Sequence, residues 1–232
     1  MGRPPDSLRR LHTDNHLFVV VKAAGMPMVP DASGDASLFE RVEEAVRVEK
    51  AKPGKAFLGI VQRLDRPVGG VVVFARTSKA AARLTEQFKS HTIDRRYLAV
   101  TEGVPAARRG SVEHALLKRE RDNVVRVVDP DVPGAKAART NFRVLATRDG
   151  NALVELTPHT GRSHQLRVAL ASLGTPIVGD AKYGATRPLE DRSIALFATT
   201  LALDHPTTRE RLRFVAKPPA RFAWRAFPEQ LG

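Results

Sequence analysis

Two strand-like runs, Thr140–Ala146 and Ala152–Thr157, flank the dipeptide Asp149-Gly150. Asp-Gly supplies the positive φ angles that a tight hairpin turn demands, so the two runs are expected to return on one another as antiparallel strands. This constrains the rest of the chain, because an isolated hairpin is marginal in water and needs further strands or a helix across one face.

Those partners are legible elsewhere. Leu17–Lys22 and Val71–Phe74 are apolar and β-branched enough for buried strands, and Ala23-Ala24-Gly25-Met26-Pro27 punctuates the first as a turn. From Arg95 to Val128 the pattern predicts short strands, including Arg96–Thr101 and Asn123–Val128, with a loop over Pro130–Gly134. Ala195–Leu203 and Arg211–Ala216 bracket His205-Pro206 as a closing pair.

Three helices are dispersed among them. Ser37 and Glu40 have capping-box spacing, and Phe39, Val42 and Val46 form an apolar stripe. Thr77 or Ser78 caps a second helix, with Ala80, Leu84 and Phe88 on one face. A third is predicted over Arg162–Leu173, with Leu166, Ala169, Leu170 and Leu173 inward, His164 and Arg167 on the opposite solvated face, and Gly174 as its stop. Many strands with no steady βαβ alternation define an α+β class with a mixed, largely antiparallel sheet.

At 232 residues and 42% hydrophobic content, the chain can bury its core in one domain or two closely packed lobes. The 38 Lys and Arg against 25 Asp and Glu give a formal charge of +13, which favours a polyanionic partner, although an Arg-rich composition produces the same balance without one. The absence of cysteine removes disulfides and thiolate chemistry and agrees with a reducing compartment. The segment Leu17–Val29 is broken by Lys22 and Gly25, and Met1–Arg10 has no apolar core, so neither a membrane span nor a signal peptide is expected and the location expected is cytoplasmic.

Two segments concentrate groups capable of chemistry. In Gln62-Arg63-Leu64-Asp65-Arg66-Pro67-Val68-Gly69-Gly70, one carboxylate stands among two arginines on a glycine-rich turn. A carboxylate beside an arginine stays ionised, which suits a nucleophile or a structural ion pair; on this segment alone the ion pair is the simpler reading. In Thr157–Arg167, the residues Gly161, Arg162, His164 and Gln165 crowd donors onto a turn entering a helix, an arrangement suited to phosphate or a polar base, or merely to solvent. The seven histidines form no pair four apart on a predicted helix, and neither a Walker loop nor a dinucleotide fingerprint occurs, so neither metal nor cofactor is expected.

Taken together these segments resemble the RluA-type RNA pseudouridine synthases, whose central signature reads approximately His-Arg-Leu-Asp-x-x-Thr-Ser-Gly before an apolar strand. Further stretches match in order: Lys22-Ala23-Ala24-Gly25-Met26, Arg96-Tyr97-Leu98-Ala99-Val100, Thr160–Arg167, Gly174-Thr175-Pro176-Ile177-Val178-Gly179-Asp180 with Tyr183-Gly184, and Leu203-Asp204-His205-Pro206. The likeness runs from residue 17 to residue 222, and each motif alone is weak.

The resemblance implies the pseudouridine synthase fold, a bent mixed sheet with flanking helices and a central catalytic cleft, over 17–232 after an extension of residues 1–16. It makes Asp65 the catalytic aspartate, Tyr97 the tyrosine against the target base and Arg167 the arginine that pairs with the carboxylate. It also makes Arg63 the residue that fills the space of a flipped base. Arg63, Arg66, Gly161, Arg162, His164 and Gln165 are the expected RNA-binding set, acting on structured ribosomal or transfer RNA as a monomer without cofactor. Gln62, Pro67-Val68-Gly69, Val29 and Phe197 depart from the family pattern without touching Asp65, Tyr97 or Arg167. The pattern leaves no room before Leu17 for the S4 RNA-binding domain that many relatives carry, so RNA selection is expected of the catalytic domain itself.

Two other readings are compatible with parts of this pattern. One is an RNA-binding protein that keeps the fold without turnover. The other is a glycosidase-like hydrolase, which needs a second carboxylate, for which Asp180 is the candidate.

Overall fold

The computed structural model describes residues 8–50 and 57–231. In chain order, the first half contains β1 (Arg9–Thr13), β2 (Leu17–Lys22), α1 (Leu38–Lys50), β3 (Gly59–Ile60), β4 (Gly69–Ala75), α2 (Ser78–Lys89) and β5 (Asp94–Glu102). The second half contains β6 (Arg109–Arg119), β7 (Val124–Val128), β8 (Lys136–Arg148), β9 (Asn151–Pro158), α3 (Gln165–Ser172), β10 (Leu196–Asp204), β11 (Arg211–Val215) and α4 (Pro228–Leu231). These elements form two compact units: the chain up to Asp94 with Thr200–Ala216, and Arg95–Thr199 with the residues from Lys217 onward.

In the first unit β2 pairs antiparallel with both β1 and β4, and β10 pairs antiparallel with β11. Leu17, Phe18, Val19 and Val20 are fully buried, as is every residue from Val71 to Ala75. A strand covered on both faces has no solvent side to write, which is why these two runs are continuously apolar. Arg9–Thr13, inside the expected N-terminal extension, form strand β1.

The capping box is present in α1: Glu40 N donates to Ser37 Oγ, while Ser37 N donates to the Glu40 carboxylate at 2.9 Å. Its buried stripe is Leu38, Val42 and Val46, with Phe39 at the margin. Thr77 caps α2 by accepting from Ala80 N. Its buried face is Ala80, Leu84 and Gln87, so a glutamine takes the place expected of Phe88. Burial of that amide is satisfied by two bonds to the Asp204 backbone, at 2.7 and 2.9 Å.

The β10–β11 turn is tied to the start of β2 by Asp14. Its Oδ1 accepts from His16 N and Leu17 N, and its Oδ2 lies 2.6 Å from His12 Nε2 and 3.2 Å from His205 Nε2. His205 Nδ1 accepts from Thr207 N and Thr208 N, which leaves the ring proton on Nε2, facing the carboxylate.

The second unit contains an antiparallel ribbon in the order β5, β9, β8, β6, β7. Asp149 and Gly150 form its β8–β9 turn with φ of +50° and +75°, and Arg148 pairs with Asn151 across it. Strand β6 spans eleven residues, longer than the short strands expected there. On one face of the ribbon Leu116, Val125 and Ala138 pack with Val168 of α3.

Helix α3 begins at Gln165, three residues later than the apolar spacing predicts, because His164 adopts φ of +52°. All its residues from Gln165 to Leu170 are buried, and His164 and Arg167 are 7% and 5% exposed, so the solvated polar face expected for them does not exist. Hydrophobic periodicity could not show this, because the polar side is covered through polar partners.

Candidate active site

Asp65 sits on a tight turn whose closing bond runs from Val68 N to Asp65 O at 3.0 Å. Leu64 and Val68 on either side are buried, which anchors the turn and leaves Asp65 half-buried between them. Arg63 is exposed and makes no hydrogen bond or ion pair with another described residue. Arg66 turns away toward Gly25 O at 3.0 Å and the carboxylates of Asp31 and Asp35.

Beneath this turn lies Lys22, which is fully buried. Its Nζ donates to the carbonyls of Ala23, Arg66 and Val68 at 3.0, 3.0 and 2.7 Å, and Gly25 N donates to Arg66 O at 2.8 Å. Three carbonyls are the full complement for an ammonium, so the end of β2 grips the backbone on the C-terminal side of Asp65. Burial pushes the Lys22 ammonium down to about 7, against the attraction of the Asp65 carboxylate, and Arg66 adds to the lowering. The glutamine at 62 is buried in the same segment; its Oε1 has no donor among the described residues, and its Nε2 reaches Val71 O only at 3.5 Å.

In the second unit Arg167 projects from α3 into a fork formed by Asp180, Nε to Oδ2 and Nη2 to Oδ1, both at 2.7 Å. The two groups are 5% and 1% exposed, and a planar bidentate pair is the geometry in which a buried ion pair is best compensated. The Tyr183 ring covers the guanidinium, 4.9 Å from its centre. The Tyr183 hydroxyl accepts from Val125 N at 2.9 Å and shares a 2.6 Å hydrogen bond with His164 Nδ1. Gly179-Asp180 and Tyr183-Gly184, which frame a short 3₁₀ turn over Ala181–Tyr183, are therefore the mount of Arg167. A carboxylate committed to that fork is unsuited to serve as the second acid of a glycosidase.

The Thr160–Gln165 turn is held from within. The Gln165 Oε1 accepts from Thr160 Oγ1 at 2.7 Å and Arg162 N at 3.0 Å, while its Nε2 donates to Arg139 O and Thr140 Oγ1, both at 2.9 Å. Gln165 is 5% exposed and shapes the turn, whereas Gly161 and Arg162 are exposed on it. Arg162 Nε donates to Ala137 O at 3.0 Å, and a side chain at Gly161 would meet Arg95 Nη1 at 3.3 Å. Tyr97 is 8% exposed on β5, opposite Leu156 of β9.

Arg63, Asp65 and Arg66 thus belong to the first unit, and Tyr97, Gly161, Arg162, His164, Gln165 and Arg167 to the second. Lys22, Asp180 and Tyr183 are the supports that residue-by-residue inspection missed. All three stand within stretches that match the family, but only partners distant in sequence reveal what they hold. Among the described residues no group of three His, Cys, Asp or Glu side chains is arranged to hold a metal ion.

A half-buried carboxylate on a pinned turn, a buried and forked arginine, and a strongly basic α+β chain define a class of protein suited to carboxylate chemistry on a polyanion. Residues 16–172 match the family model described as RNA pseudouridylate synthase. The chain is 34% identical to the uncharacterized RNA pseudouridine synthase YhcT of Bacillus subtilis, over 90% of this chain and 68% of the relative. It is 31% identical to ribosomal large subunit pseudouridine synthase D of Zymomonas mobilis, over 89% of this chain and 68% of the relative. Among solved structures, human RNA pseudouridylate synthase domain containing 4 superposes with a TM-score of 0.76 at 28% identity, over 91% of this chain and 88% of that one.

The chain belongs to the RluA-type RNA pseudouridine synthase family, whose members are isomerases, and it has the pseudouridine synthase fold. No helix of the described residues is long and apolar enough to cross a membrane.

Proposed function

We propose that this protein converts chosen uridines of structured ribosomal or transfer RNA to pseudouridine, with Asp65 as the essential carboxylate. The observation that carries the reading is the family match across residues 16–172, a span that includes Asp65, Tyr97 and Arg167. The target base leaves its stack and enters the protein, because N1 and C5 of uracil cannot be exchanged inside a helix. Uracil is detached at N1, rotates, and rejoins the ribose through C5.

Asp65 acts at the ribose C1′, at its C2′ proton or on the uracil ring. Arg167 keeps that carboxylate ionised and oriented, a role supported by the rigid Asp180 fork that fixes the guanidinium. Tyr97 stacks on the displaced uracil and exchanges a proton during the rearrangement. Arg63, exposed beside Asp65, fills the gap left by the flipped base; Arg66, Arg162, Gly161 and His164 contribute to gripping RNA near it, and Gln165 does so by holding the turn. The protein works in the cytoplasm as a monomer.

The test is carbodiimide mapping of pseudouridine in total RNA from cells lacking the gene, complemented with wild type or Asp65→Asn. Wild type alone should restore the missing sites, while the variant, isosteric but uncharged, binds RNA with nearly unchanged affinity. Turnover at the wild-type rate by Asp65→Asn removes the assignment of Asp65, and an unchanged map points to the RNA-binding reading.

A further inference from the structure

The face of the second unit's ribbon turned away from α3 carries a shallow groove of about 620 Å³ that the chemistry above does not use. Strand register arranges its lining in rows. Arg109 of β6 lies opposite Arg143 of β8, which lies opposite Glu155 of β9; the next row is Ser111, Asn141 and Thr157; the third contributes Arg139, whose partner Glu113 stands outside the lining. Alternate residues of the same strands, Phe142, Val144 and Leu156, are buried, so the groove and α3 occupy opposite faces.

Two features mark this face as suited to an extended anion. First, like charges directly opposite in a ladder destabilise it, yet Arg109 faces Arg143, and Arg109 has no hydrogen-bond or ion-pair partner among the described residues. Glu155 is shared between Arg143 at 3.0 Å and Arg96 at 3.6 Å, and Glu113 serves Arg139 at 3.4 Å, so four arginines meet two carboxylates. Second, Arg143 and Arg139 are four residues apart on one strand, about 14 Å, with a neutral hydroxyl and amide floor between them. Protection of a sheet edge does not explain the charge, because β8 is paired on both sides.

We propose that this groove docks an RNA strand flanking the target, with Arg109 and Arg143 on one phosphate, Arg139 on another, and the neutral row of Ser111, Asn141 and Thr157 facing the sugar between them. The inference rests on the proposed RNA substrate and adds a second RNA contact on the face opposite Arg167. A chain of phosphates suits charge at both ends of a neutral floor.

The experiment compares wild type, the double variant Arg109→Gln with Arg143→Gln, and the double charge reversal Arg109→Glu with Arg143→Glu. Binding to in vitro transcribed large-subunit ribosomal RNA and to a transfer RNA transcript is titrated between about 50 and 200 mM KCl, alongside pseudouridine formation on the same transcripts. The Gln pair should lower the slope of log affinity against log salt by about one to two and raise KM roughly tenfold, with kcat at saturation unchanged. The Glu pair should bind more weakly still.

The melting temperature of the Gln pair should stay level or rise, since its like-charge pair is gone; the Glu pair sets two carboxylates opposite one another beside Glu155, and should it fail to fold, the Gln pair carries the test alone. Unchanged slope and KM for both transcripts overturn the proposal. A wild type that binds with a groove-dependent slope but forms no pseudouridine would leave the groove standing and remove the proposed activity.

Discussion

The Asp65 turn and the Arg167 mount solve the same problem, holding a charged group still, by opposite means. Asp65 is positioned through main chain: Lys22 grips the carbonyls of Arg66 and Val68, and the carboxylate rides on the turn that results. Arg167 is positioned through its own head group, forked by Asp180 and covered by Tyr183. A group held by the backbone tolerates some change in its side chain. A group held by its head depends on every partner, because each loss leaves a buried charge undercompensated.

The sharpest way to break the comparison is Asp180→Ala, which strips the fork from a nearly buried guanidinium and should cost about 3–5 kcal/mol of unfolding free energy, measured by urea denaturation. If Asp180→Ala melts like wild type, the fork is not what holds Arg167.

Lys22→Met should come next, at about 2 kcal/mol near neutral pH, because buried carbonyls lose their donor while a costly buried charge disappears with it. Here pH sharpens the contrast. Between about 7 and 10.5 the unfolded lysine holds a proton that the folded one has released. Unfolding then takes up a proton, so wild-type stability rises with pH across that window relative to Lys22→Met. A difference that stays flat from pH 7 to 10 would mean that the three carbonyls keep the ammonium protonated.

Tyr183→Phe is the smallest perturbation. It removes the hydroxyl bonds to Val125 N and His164 but keeps the ring over Arg167, and it should lower stability by about 1 kcal/mol in thermal melts. A loss as large as that of Asp180→Ala would make the hydroxyl, and not the fork, the principal support.

Much of the architecture was legible because it is local. The Asp149-Gly150 hairpin, the strand Leu17–Lys22, the Ser37–Glu40 box and the Thr77 cap each depend on dihedral preference, periodicity or a bond spanning three residues. Expectation failed where burial was achieved by polar contact. Gln87 replaced Phe88 in the core because its amide meets the Asp204 backbone, 117 residues away. The third helix lost its solvated face for the same reason, since Arg167 and His164 are covered by Asp180 and Tyr183.

By itself, then, the sequence determined the α+β class, the basic character and, through motifs in the family's order, the candidate carboxylate Asp65 with Tyr97 and Arg167. Only the tertiary structure decided which of these groups are pinned and by what, and that alternate residues of β6, β8 and β9 gather arginines into one groove. The reason is physical: a strand or cap is fixed by neighbours a few residues away, whereas the partners of a buried charge, and the rows across a sheet, come from segments that meet only when the chain folds.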